Sequence, residues 1–359
     1  MKQKLRYFKP LLLASVLGLS FAQPVFAQNS EWEKANSYLK QENYDAALPL
    51  VKAQAEKGNA MAQVQFGRMY IYGNGVKKDY DEAVKWYRKA AEQGNDWGQR
   101  NLGLMYRDGW GVKKDYAEAV KWFRKSAEQG FAAAQVNLGL AYEYGEGVKQ
   151  DYAEAAKWYE KAAAQGDDWG QHNLGLMYEF ARGGYPKDYA KALELYKKSA
   201  AQNNSRAQRS IGLFFKDGKG VKQDYAEAVK WFRKAAEQGL AKAQVDLGLA
   251  YDYGEGVKQD YAEAVKWYRK AAEQGDVYGQ RNLGNMYKDG KGVKQDYAEA
   301  VKWFRKAADQ GYAKAQVSLG LVYEYGEGVK QDHAEAAKWY KKACDNGYKK
   351  ACEDYQQLK

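Results

Sequence analysis

The 359-residue chain contains no threonine and only two histidines and two cysteines. Without threonine there can be no Lys-Thr-Gly, and no Ser-Asp-Asn occurs either, so the companion motifs of a penicillin-reactive serine enzyme are missing. His172 and His333 stand far apart, with no Cys or carboxylate pattern around them, so no metal and no cofactor is expected. His333 sits in the Tyr position of a recurring Asp-Tyr-Ala-Glu and reads as a substituted helix-start residue. Gly-x-Gly recurs too, but without the Lys-Ser/Thr of a phosphate loop, which makes it turn chemistry. No apolar run is long enough to span a bilayer.

The longest apolar stretch, Leu11 to Ala22, follows Lys2, Lys4, Arg6 and Lys9 and precedes Val25-Phe26-Ala27. That order of charge, apolar run and small residues reads as an export signal over residues 1–27, cleaved near Ala27. No cysteine lies there to take a lipid, so the mature chain is expected in the periplasm, secreted or at the cell surface. The formal net charge is +11, but the signal holds four of the positives and no acid, leaving about +7 for the rest. Lys and Arg interleave with Glu and Asp in every unit, as on a solvated helical surface, and nucleic acid is not an expected partner.

What the chain has in abundance is repetition. Gly67, Gly103, Gly139, Gly175, Gly212, Gly248, Gly284 and Gly320 follow one another at steps of 36 residues, with one step of 37. A fixed period of that length signals a stack of units that each bury their apolar face on a neighbour. Within Phe131 to Gly166, one helix is expected over Ala132 to Tyr144, with Val136, Leu140 and Tyr144 at intervals of four beside Leu138 as its apolar stripe. Ala134 and Gly139 leave room for a close neighbour. A loop with Gly145 and Gly147 follows, whose Val148 can plug the gap between helices. A second helix starts at Asp151, where Glu154 three residues on suggests a reciprocal cap, and it carries Ala155, Trp158, Tyr159 and Ala162 toward its neighbours.

The pattern A-Q-x-x-L-G-x-x-Y, then G-x-G-V, then D-x-x-x-A-x-x-W-x-x-x-A-A resembles the Sel-1-like repeat, a relative of the tetratricopeptide repeat. The resemblance implies an all-α fold, a right-handed α/α superhelical solenoid of about eight helix-loop-helix repeats with terminal capping helices. The expected units are 59–94, 95–130, 131–166, 167–203, 204–239, 240–275, 276–311 and 312–347. A shorter tetratricopeptide-like helix pair over 28–58 and a polar helix over 348–359 would cap them. Cys344 and Cys352 have the eight-residue spacing of half-cystines in cysteine-rich relatives, which implies a disulfide between the last repeat and the terminal helix.

A second period lies inside the first. Units with Gln-Val in the first helix and Trp-Tyr in the second alternate with units carrying Gln-Arg and Trp-Phe, so the repeating element is about 72 residues. Residues 167–203 break the rhythm: Leu195-Tyr196 replaces the Trp pair, Lys191 takes the place of the capping Glu, and the loop gains a residue. This unit is expected to be the most irregular of the eight.

In tetratricopeptide stacks the first helix of each unit lines the inner, concave face and selects a peptide. Carried over, the ligand-binding positions would be Trp97, Arg100 and Arg107; Trp169 and His172, with Glu179; Arg206, Arg209 and Lys216; and Tyr278, Arg281, Asn285 and Lys288. Arg281 and Asn285 share the spacing of tetratricopeptide carboxylate clamps. A plainer alternative pairs Arg107, Lys216 and Lys288 with Glu143, Asp252 and Glu324 of the following units as interhelical ion pairs. The expected function is that of an exported interaction scaffold for a protein or peptide, in bacterial envelope processes or host-cell contact. Two further readings are a β-lactam-binding or weakly hydrolysing enzyme using Ser37-x-x-Lys40, and a peptidoglycan binder with Trp97, Trp169 and Tyr278 as stacking platforms.

Overall fold

The computed structural model describes residues 25–358, with side chains from residue 30 onward. The signal segment expected over 1–27 lies outside the described residues except for 25–27, which form the start of the first helix. The described residues contain helices and no strand.

Two bodies divide at residue 114. The first holds α1 (Val25–Lys40), α2 (Tyr44–Glu56), α3 (Ala60–Tyr72), α4 (Tyr80–Glu92) and α5 (Asp96–Asp108). The second begins with α6 (Tyr116–Glu128), α7 (Ala132–Tyr144), α8 (Tyr152–Ala164), α9 (Asp168–Phe180) and α10 (Tyr189–Ala201). It continues through α11 (Ser205–Asp217), α12 (Tyr225–Glu237), α13 (Ala241–Tyr253), α14 (Tyr261–Glu273) and α15 (Val277–Asp289). It closes with α16 (Tyr297–Ala308), α17 (Ala313–Tyr325), α18 (His333–Asp345) and α19 (Lys349–Gln357). Each body is a solenoid of antiparallel helix pairs, in which a helix packs on the next one in the chain.

The helix boundaries follow from local chemistry. At Asp151 the carboxylate accepts the backbone N–H groups of Ala153 and Glu154, the first orphan donors of α8. The reciprocal half of the expected cap is not what the structure contains. The Asp151 backbone N–H donates instead to the Tyr142 carbonyl of α7 at 2.9 Å, and the same bond joins Asp260 to Tyr251 and Asp296 to Tyr287. With that donor satisfied by tertiary contact, Glu154 is free to pair with Lys157 one turn on. The cap therefore survives at Asp188, where Lys191 contributes only its backbone N–H, at 2.8 Å.

The apolar stripe also needs one correction. Ala134, Leu138 and Ala141 are buried with Val136, whereas Tyr144, the last residue of α7, is 66 % exposed. Gly139 is a packing glycine: a Cβ there would come within 2.5 Å of the Tyr159 ring. From the other side Ala155, Trp158, Tyr159 and Ala162 are all buried, as expected of the second helix.

A glutamine in each first helix ties neighbours together. Gln244 donates to the Ala236 carbonyl at the end of α12 and accepts from Gln274 just beyond α14, so one amide joins three segments. Gln280 does the same with Ala272 and Gln310, and Gln316 with Ala308 and Asn346. These amides are buried and their polar groups are paired, which is what burial requires.

The unit over 167–203 keeps helices of 13 residues and absorbs its extra residue in the loop. The cost appears at Ala181, which ends α9 at φ 52°, where α7 and α11 end on glycines. The last helix is held by the Cys344–Cys352 disulfide, with 4.8 Å between the Cα atoms.

Candidate functional site

The first helices of consecutive repeats meet side by side in the second body. Arg206 on α11 lies over the Trp169 ring of α9 at 5.0 Å. Tyr278 on α15 and Tyr312, which caps α17, bring their ring centroids to 4.9 Å. One turn further along, Arg209 on α11 reaches Asp246 on α13 through Nε at 2.5 Å and a terminal guanidinium nitrogen at 3.4 Å. Side chains near the starts of these helices thus form a row in which neighbouring repeats touch, α9 with α11, α11 with α13, and α15 with α17.

The sequence-derived residues fall into different states along that row. Tyr278 is 52 % exposed, and Arg206 is exposed as well. Arg281, Asn285 and Lys288 are half-buried on α15. Arg209 is consumed by Asp246, a carboxylate that reading by residue type did not single out although it lies 37 residues away. Burial pushes the Asp246 carboxyl above its ordinary range and Arg209 pulls it back. In the first body Arg100 is buried, Trp97 half-buried, and Arg107 pairs with its neighbour Asp108 at 2.8 Å.

His172 is not a surface group. It is 5 % exposed, its Nδ1 lies 3.2 Å from Asn173 Oδ1 and its Nε2 lies 3.4 Å from Ser210 Oγ. Trp169 and Tyr196 pack on its ring. Burial drives its pKa down to about 4, so the ring is neutral at ordinary pH. Trp169 itself is covered by Arg206, which leaves it a poor stacking platform.

The ion pairs expected of Lys216 with Asp252 and of Lys288 with Glu324 give way to a different arrangement, which Glu143 shares. Each acid accepts a hydrogen bond from the tyrosine hydroxyl of its own second helix: Tyr159 to Glu143 at 2.7 Å, Tyr268 to Asp252 at 3.2 Å and Tyr340 to Glu324 at 2.6 Å. Lys216 and Lys288 stand 3.6 and 3.5 Å from their neighbours Asp217 and Asp289. Their second helices carry Phe232 and Phe304, which have no hydroxyl to offer an acid.

Elsewhere the chemistry is sparse. No group of three or more His, Cys, Asp and Glu side chains among the described residues could hold a metal. Ser37 accepts a hydrogen bond from Gln41 at 3.2 Å on the exposed side of α1. No helix among the described residues is long and apolar enough to cross a membrane.

Eight successive matches to the Sel1 repeat cover residues 60–95, 98–131, 132–167, 170–204, 205–240, 241–276, 277–312 and 313–348. The chain belongs to the Sel1 repeat family. Among solved structures it is similar to a protective antigen with an SLR fold from uropathogenic Escherichia coli, at 37% identity and a TM-score of 0.54. That alignment covers 93% of this chain and 80% of the antigen. It is also similar to a Sel1 repeat protein from Oxalobacter formigenes, with 33% identity, a TM-score of 0.60 and coverage of 68% of this chain and 96% of that one. Comparison with the curated protein sequences finds no match. Sel1 repeat proteins generally mediate protein–protein interaction, and scaffolds of this family are generally not enzymes.

Proposed function

We propose that this Sel1 repeat protein is a non-enzymatic scaffold that binds a protein or peptide along the row formed by its first helices. The observation that carries this reading is the state of α15: an exposed Tyr278 and the half-buried Arg281, Asn285 and Lys288 share one helix. Aromatic and guanidinium groups are favoured in recognition surfaces because they combine large contact area with directional hydrogen bonding. Export is part of the proposal. It is supported by the charged and apolar pattern of residues 1–27 and is compatible with a disulfide, which persists in oxidising compartments. Likeness to an antigen of a pathogen supports a setting in the envelope or in contact with a host cell.

The test is a crosslinking pull-down with the mature chain from envelope extract and, separately, from host cells. Wild-type protein should capture a discrete partner in one of them, and a Tyr278→Ala/Arg281→Gln double variant should lose it. Equal capture by both chains would move the interaction off this row.

A further inference from the structure

Two successive double units carry the same pair of cations in the same register: Arg209 and Lys216 on α11, and Arg281 and Lys288 on α15. In the first pair both act on one carboxylate. Asp246 binds Arg209 with both oxygens and also feels the charge of Lys216. In the second pair the corresponding residue, 37 beyond Arg281, is Ser318. Its hydroxyl turns back to the Lys314 carbonyl at 3.1 Å.

Arg281 is left with a buried Nε that has no hydrogen-bond partner among the described residues. Lys288 has Asp289 at 3.5 Å in an exposed pair. Asp276, a second acid whose charge reaches Asp246, has Tyr348 at its equivalent position 72 residues on. The second site thus keeps the two cations and has no acid at either corresponding position, although Asp276 itself caps the start of α15. An unpaired buried guanidinium N–H is costly, because its desolvation is not repaid.

We propose that Arg281, supported by Lys288, is a subsite for a side-chain carboxylate, taking an Asp or Glu of the bound peptide where Asp246 sits one double unit earlier. This rests on the reading of the first-helix row as a peptide surface and names the residue class that one position accepts. The fork on Arg209 supplies the chemical class: guanidinium Nε and terminal nitrogen match the two oxygens of a planar carboxylate. Tyr278 and Tyr312, stacked obliquely at the same helix starts, provide an aromatic wall for the residue beside the acid.

The direct test is the Nε–H spectrum of the arginines in the full chain, assigned with Arg281→Lys and titrated with acetyl-Gly-Tyr-Glu-Tyr-Gly-amide. The Arg281 signal should shift saturably with this peptide, should not shift with the Gln isostere, and should leave Arg209 unmoved. Ser318→Asp supplies the missing carboxylate internally, so it should raise the unfolding midpoint while weakening the peptide by about tenfold or more. Asp246→Ser should make the Arg209 signal respond in turn. A shift of equal size with the Gln peptide, no shift at all, or undiminished binding in the stabilised Ser318→Asp chain would overturn the subsite. If a partner is captured equally by wild type and Ser318→Asp, the subsite fails while the peptide-binding reading stands. If neither chain captures a partner yet the Arg281 signal responds to the Glu peptide, the reverse holds.

Discussion

The hydroxyl of Tyr159 on α8 donates to the carboxylate of Glu143 on α7 at 2.7 Å, inside the core of a single repeat. This bond gives the 72-residue alternation a physical meaning: tyrosine goes with an acid on the paired helix, and phenylalanine goes with a cation, as in Phe232 with Lys216 and Phe304 with Lys288.

Removing one hydroxyl should therefore have opposite outcomes at two sites. Tyr159→Phe leaves the buried Glu143 without that donor and should cost about 1–3 kcal/mol, read as a lower denaturant midpoint. In the first full repeat the position of the acid is held by Ile71, and the Tyr87 hydroxyl is buried with no hydrogen-bond partner among the described residues. Tyr87→Phe should be neutral or stabilising by the same measurement, and an equal loss at both positions would break the pairing rule.

Acid should weaken the second body through His172. Its folded pKa of about 4 lies below the ordinary 6.5, so the unfolded chain takes up the proton first as pH falls. Stability contributed by the neutral ring is complete above pH 6.5 and is lost as pH drops toward 4, by about 3 kcal/mol in all at 1.36 kcal/mol per unit. His172→Val, the residue that four of the other repeats carry at this register, should flatten the midpoint between those pH values. A slope that survives the substitution would assign it to other groups.

Ala181 holds a left-handed conformation that costs an L-residue about 1 kcal/mol. Ala181→Gly should return much of that as a higher thermal midpoint. A lower midpoint would mean that the Ala181 methyl group contributes packing that outweighs the strain.

The Cys344–Cys352 bridge closes a short loop, worth about 2–3 kcal/mol by chain entropy. Reduction, or the Cys344→Ser/Cys352→Ser pair, should raise amide exchange in α19 and leave α11 to α14 as protected as before. Unchanged exchange in α19 would show that packing alone holds it.

The helices were legible because their signals are local. Gly145 stops α7, Asp151 starts α8 and the period fixes both in every copy. Partners were not legible, because they depend on which atoms a neighbouring helix presents. Glu154 looked like half of a reciprocal cap, but the Tyr142 carbonyl had already taken the donor. Tyr144 fitted the spacing of four yet stands at the helix end, beyond the reach of the core. For the site, the sequence singled out Arg209 but not Asp246, and the arginine's availability turns on that residue. The signal was present: 37 residues after each of Arg209 and Arg281, the chain places Asp in one case and Ser in the other.

The disulfide has a mechanical consequence. The buried amides that join the repeats act only between neighbours, so tension applied along the chain is carried joint by joint. The joint nearest the bridge, Asn346 to Gln316, has its asparagine within the loop that the bridge closes. A pull on the chain beyond Cys352 enters α18 at Cys344 and bypasses residues 345–351, so the start of α19 and the Asn346 joint are spared the load. That end of the solenoid behaves as a clasp.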